Sequence, residues 1–89
     1  MKLKLSHILV QHRYQAEDLI KLIAKGQIFP DLALKYSTCR SANEKGFLGY
    51  LEPSRLDQDF AEAAENLKPG QMSGIIRTKF GYHLILRHE

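Results

Sequence analysis

Eighty-nine residues are enough for one small domain and too few for two, so residues 1–89 form one domain whose core must be compact. A hydrophobic share of 44% beside 26% charged side chains excludes a disordered or fibrous chain, and no stretch approaches the ~20 apolar residues of a membrane span. The 13 Lys+Arg exceed the 10 Asp+Glu, for a net charge of +3, but the signs are interspersed, as in Lys21, Lys25, Asp31, Lys35 and Asp57, Asp59, Glu62, Glu65. That is a solvated surface rather than a nucleic-acid stripe.

Leu3, Leu5, His7 and Leu9 alternate with Lys4 and Ser6, and then Ile8 and Val10 make both faces apolar, which predicts a strand that becomes central. From Ala16 the period lengthens: Ala16, Leu19, Ile20, Ile23 and Ala24 mark a helix stopped by Gly26. Pro30 suits the first turn of a second, shorter helix carrying Leu32, Ala33 and Tyr36 and ending at Ser37-Thr38. Residues Cys39 to Gly46 have no apolar period and predict an ordered loop leading into a short strand, Leu48 to Leu51. Beyond Pro53, either Ser54 or Asp57 can cap a helix whose inner face is Phe60, Ala63, Ala64 and Leu67, ended by Lys68-Pro69-Gly70-Gln71. Two strands, Met72 to Thr78 and Tyr82 to His88, close the chain; Tyr82, Leu84 and Leu86 oppose His83, Ile85 and Arg87. The predicted order is β-α-α-β-α-β-β, an α+β fold, with room for one extra short helix.

Cys39 is the only cysteine, so no intramolecular disulfide can form, and a cytoplasmic location is expected, or a periplasmic or exported one if this is a domain cut from a longer chain. Residues Met1 to His7 lack the apolar run of a signal peptide. Taken alone, His7 and His83 are better read as satisfied core histidines than as catalysts. The four histidines and one cysteine show no paired metal-ligand spacing, so no metal and no cofactor are expected. A lone thiol at Cys39 is usually structural, and Gly46-x-x-Gly49 is too short for a phosphate-binding loop.

Several segments together resemble the parvulin family of peptidyl-prolyl cis/trans isomerases, in the right order over about 80 residues. His7-Ile8-Leu9-Val10 is similar to its opening strand, and Tyr36-Ser37-Thr38-Cys39 followed by Gly46-Phe47-Leu48-Gly49-Tyr50 to its Ser-x-Cys/Asp segment and Gly-Asp-Leu-Gly turn. Leu56-x-x-x-Phe60, Leu67-x-x-Gly70-x-x-Ser73 and Thr78-x-Phe80-Gly81-Tyr82-His83 resemble its later motifs. The resemblance implies a four-stranded antiparallel sheet surrounded by helices and acceleration of X-Pro bond rotation without covalent chemistry. It implies a prolyl pocket of Leu48, Leu56 and Phe60, with Phe80 at its margin, over a polar floor of His7, Cys39, Thr78 and His83. The position of Cys39 is Cys in some members and Asp in others. The implied partners are proline-containing polypeptides, bound by a monomer, with no nucleic acid. The rival reading is a parvulin-fold chaperone or binding module that holds unfolded segments with little turnover.

Two departures bear on the loop before the second strand: Phe47 stands where the family commonly has Asp, and Lys45 where many members have Gly. Phosphate-directed members carry a long basic loop after the first strand. Only Gln11-His12-Arg13-Tyr14-Gln15 lies there in this chain, and Arg13 alone is no phosphate clamp.

Overall fold

The computed structural model describes residues 2–89, and its elements follow the predicted order. Leu3–Val10 forms β1, Arg13–Ala24 α1, Phe29–Tyr36 α2, Phe47–Leu51 β2, Gln58–Glu65 α3, Ile76–Thr78 β3 and Gly81–Arg87 β4. Two short 3-10 turns, Arg40–Glu44 and Pro53–Arg55, are added where the sequence left room for one. The strands form one antiparallel sheet in the order β2-β1-β4-β3, so β1 is central, as its two apolar faces require.

Each face of the sheet has its own core. On one, Ile8, Val10 and Leu84 meet Ala16 and Leu19 of α1 and Phe29, Leu32 and Ala33 of α2. On the other, Leu3, Leu5 and Ile85 meet Phe60 and Ala64 of α3, with Leu67 just beyond it. The alternation of β4 sends Leu84 to the first core and Ile85 to the second, and both are fully buried. His7 and His83 share the α3 face, because their neighbours at odd positions do.

Two boundaries differ from those predicted by three residues or more, each for a local polar reason. Helix α1 begins at Arg13 rather than Ala16, because the Gln15 side-chain carbonyl accepts from His12 N–H at 2.9 Å and caps an exposed first turn that apolar periodicity does not mark. The segment predicted as a strand from Met72 reaches full pairing only at Ile76–Thr78. Met72 makes an isolated bridge to Leu86, and at Ser73 the hydroxyl, not a backbone carbonyl, takes the Ile85 N–H at 2.9 Å. A side chain thus replaces a ladder bond and the strand is interrupted until Ile76.

Candidate functional site

The β1–β4 register pairs His7 with Ile85 and Leu9 with His83, which makes the two histidines diagonal neighbours on adjacent strands. Their Nδ1 atoms are 3.1 Å apart, and the rings stack with centroids 5.2 Å apart and 21° between planes. His83 Nε2 lies 2.7 Å from Thr78 Oγ1 on β3, and the Phe80 N–H donates to that same hydroxyl oxygen at 3.1 Å. His7, Thr78 and His83 are all buried. Phe60, in the first turn of α3, meets both imidazoles edge-on, 5.6 Å from His7 and 5.2 Å from His83.

A hydrogen bond between two Nδ1 atoms requires one of them to carry the proton and the other to lack it. Burial, and second the neighbouring His83, lowers the pKa of His7 from 6.5 to about 4. Burial lowers that of His83 as well, opposed by the charge of Asp57. The Thr78–His83–His7 chain is therefore neutral near pH 7 and has two proton arrangements. In one, Thr78 O–H donates to His83 Nε2 and His83 Nδ1–H donates to His7; in the other, both bonds run in reverse. Either arrangement leaves His7 Nε2 buried without a partner among the described residues. Such a chain holds the two flat rings against each other and carries no charge at that pH.

Beyond the Ser6–Phe47 pair, β2 no longer accompanies β1, and the segment from Ser37 to Gly46 takes over that edge. Thr38 N–H donates to Leu9 O at 2.7 Å, Leu9 N–H to Ser37 Oγ at 3.1 Å, and His7 N–H to Gly46 O at 2.9 Å. Cys39 opens the 3-10 turn held between these anchors and is half-buried; its N–H donates to Ser37 Oγ at 3.4 Å and its carbonyl accepts from Ala42 N–H at 2.9 Å. The hydrogen-bonded unit is thus His7, Thr78 and His83, while Cys39 is brought to the same edge by backbone bonds. At the end of the turn Lys45 adopts a left-handed backbone, φ 58 and ψ 32, where a side chain is unfavourable. Gly46 follows at φ 85, and a Cβ there would stand 2.6 Å from His7 O and 2.9 Å from Ala33 Cβ. The loop that carries Cys39 therefore reaches His7 only because residue 46 is glycine.

The apolar side of the site is continuous with the α3 core, since half-buried Leu48 and Leu56 pack against the cluster that contains Phe60. Phe47 points elsewhere: it is 43% exposed and edges the His88 ring at 5.9 Å. Phe80, in the β3–β4 turn, is 57% exposed, and its carbonyl accepts from Gln11 Nε2 at 3.5 Å. Gln11 also donates to Thr38 Oγ1 at 3.0 Å, and so ties the Cys39 loop to the Phe80 turn. Neither Gln11 nor Ser37 was given a role in the site from the sequence, although Ser37 is the serine of the Ser-x-Cys/Asp segment. The signal for Ser37 was a Ser-Thr pair just past a helix, where hydroxyls seek backbone groups; Gln11 carried none.

Residues 7–89 match the family of rotamases described as the PPIC-type PPIASE domain. The chain is 42% identical over 89 residues to the foldase protein PrsA of Bacillus subtilis, covering 99% of this chain and 30% of that protein. It superposes on the crystal structure of the same PrsA with a TM-score of 0.95, covering 35% of the crystallised chain. The solution structure of NmPin, described as the parvuline of Nitrosopumilus maritimus, matches at 36% identity and a TM-score of 0.87, over 99% of this chain and 96% of that one. A structure of SurA-like chaperones from Campylobacter jejuni, a pair that includes a periplasmic protein, matches at 33% identity and a TM-score of 0.91, over 99% of this chain and 38% of that one. The chain thus spans about a third of the length of PrsA.

Proposed function

Given that the chain belongs to the PPIC-type peptidyl-prolyl cis/trans isomerase family, the parvulins, we propose that it turns over X-Pro bonds in polypeptides at the site formed by His7, Cys39, Thr78 and His83 under Leu48, Leu56 and Phe60, with Phe80 at the rim. The observation that carries this reading is the neutral, buried Thr78–His83–His7 chain with the Phe60 ring set edge-on against both imidazoles.

Amide resonance sets a rotation barrier of ~18–20 kcal/mol, and no covalent bond needs to form to lower it. The Leu48, Leu56 and Phe60 side chains supply an apolar seat for the proline ring while the preceding carbonyl turns. Removing water disfavours the charge-separated resonance form that keeps the amide flat, so the twisted bond is held better than either planar one. The imidazole pair keeps the floor rigid and uncharged, and the Cys39 loop lies along the side of the turning carbonyl.

Isomerisation of a panel of X-Pro peptides tests the proposal. Turnover of unphosphorylated peptides is expected, best with an apolar residue before proline. A phosphoserine-proline peptide turned over a hundredfold better than its unmodified counterpart would refute the reading of the Gln11 to Gln15 loop. The binding-module alternative draws on the chaperone description of the C. jejuni relatives, and it predicts suppression of aggregation with no turnover of any peptide. None of the helices among the described residues is long and apolar enough to cross a membrane. For location, the relatives lend no support to the cytoplasm, and the periplasmic member of the C. jejuni pair favours a domain within a longer exported chain. A monomeric state is part of the same proposal, checked by light scattering on the purified domain.

A further inference from the structure

We propose that Asp57 is a positioning residue for this site: by capping α3 through one carboxylate oxygen, it holds the Phe60 ring edge-on against the two histidines. The inference rests on the isomerase reading above for its kinetic consequence, and on geometry alone for its structural one.

Asp57 Oδ1 accepts from the Asp59 N–H at 3.0 Å and from the Phe60 N–H at 3.3 Å, and the Asp57 carbonyl accepts the first helical bond, from Ala61 N–H, at 2.8 Å. The residue whose amide receives the cap is therefore the residue whose ring closes the site. Besides the cap, this first turn is held to the sheet by the burial of Phe60 and Ala61. Helix α3 has only eight residues, well short of the length that is stable alone in water. Gln58 and Asp59 are exposed, while Ala64 and Leu67 anchor the far end of the segment to the sheet. On the entering side, the Pro53–Arg55 turn gives way to Leu56 in extended conformation, φ −99 and ψ 163. Asp57 thus stands between two pocket residues, Leu56 and Phe60, and sets where the extended chain becomes helix. Fraying of that turn would carry the Phe60 ring off the imidazoles without unfolding the sheet.

Three substitutions separate the cap from the charge. Asp57→Asn keeps a side-chain carbonyl at cap distance and loses the charge; Asp57→Glu keeps the charge and caps poorly; Asp57→Ala keeps neither. Each variant is compared with the unsubstituted protein at a temperature where circular dichroism shows all of them folded, by isomerisation of an unphosphorylated X-Pro peptide and by the ring-proton NMR resonances of His7 and His83. We expect kcat/KM to fall about tenfold in the Ala and Glu variants and to stay within about threefold in Asn, since the loss follows the cap. The imidazole resonances should move in Ala and Glu, as the ring current of Phe60 shifts, and stay in place in Asn. Equal impairment of Asn and Ala would overturn the proposal in favour of charge, and so would unmoved resonances or undiminished turnover in Ala. Should the Ala variant not fold, the Asn and Glu pair decides by the same criteria. If the unsubstituted protein turns over no peptide, the isomerase reading falls, while the resonances still report whether Asp57 places Phe60.

Discussion

Lowering the pH from 7 to 5 should destabilise this domain far more than its carboxylates can explain, because the two buried imidazoles are held neutral. In the folded chain His7 titrates at about 4 rather than 6.5, so between those values the unfolded chain binds a proton that the folded one refuses. Stability is therefore complete above pH 6.5 and falls as the pH drops towards 4. Linkage puts the loss from His7 alone at about 2 kcal/mol between pH 7 and pH 5. His83, also lowered by burial, acts in the same direction. For a domain of this size, that loss corresponds to about 10 °C in melting temperature. The window lies above the ordinary carboxylate range, so Asp and Glu contribute little to the slope. Melts followed by circular dichroism at pH 7, 6 and 5 measure it, with His7→Leu run in parallel to remove one titrating ring. A wild-type melting temperature that stays within about 2 °C across the window would refute the neutral pair, as would a His7→Leu protein that retains the whole slope. Turnover should behave differently: kcat/KM is expected to be flat from pH 8 to pH 7, since both histidines of the floor are lowered below 6.5 and neutral there.

Three further outcomes follow from the same geometry. Phe60→Ala removes a buried ring in contact with both imidazoles and should cost ~3–5 kcal/mol of stability, with turnover strongly reduced even at a temperature where circular dichroism shows the variant folded; near-normal turnover there would take Phe60 out of the site. Lys45→Gly relieves a left-handed backbone at a side-chain-bearing residue and should raise stability by ~0.5–1 kcal/mol in denaturant titration, whereas a loss would mean that the Lys45 side chain holds the loop. Cys39→Asp should keep substantial isomerisation and Cys39→Ala only part of it, because bond rotation needs no nucleophile; a substrate adduct on Cys39 seen by mass spectrometry, or a folded Asp variant with no turnover, would sink that view.

The element order was legible because each segment obeys one period at a time. The two-sided run Ile8 to Val10 announced a central strand, and the change of spacing at Ala16 announced a helix. What failed to show were the places where a side chain substitutes for backbone pairing. Ser73 interrupts the strand predicted from Met72, and Gln15 starts α1 three residues early, both through single hydrogen bonds that no periodicity encodes. The Lys45 departure proved to be local: the loop keeps its path by accepting a left-handed lysine, and the indispensable glycine is the next residue, Gly46.

The site is less legible than the fold, for a reason that lies in the sheet itself. His7 and His83 are 76 positions apart, and each looks like an isolated polar residue on an apolar face. Only the β1–β4 register makes them neighbours, and local spacing does not state a register; here the motif resemblance supplied the pairing that residue patterns could not. The structure shows why that register is nevertheless firmly set. A slip of one residue along β4 would send Leu84 to the α3 face and Ile85 to the α1–α2 face, exchanging the occupants of both cores, and would bring His83 out of reach of His7 and Thr78 at the same stroke. The Gly81 backbone also approaches Val10 so closely that a Cβ there would stand 2.5 Å from the Val10 carbonyl oxygen, which ties the start of β4 to the end of β1. The imidazole pair therefore needs no strong bond of its own to be placed accurately, because any arrangement that misplaces it first has to empty the two hydrophobic clusters on either side of the sheet.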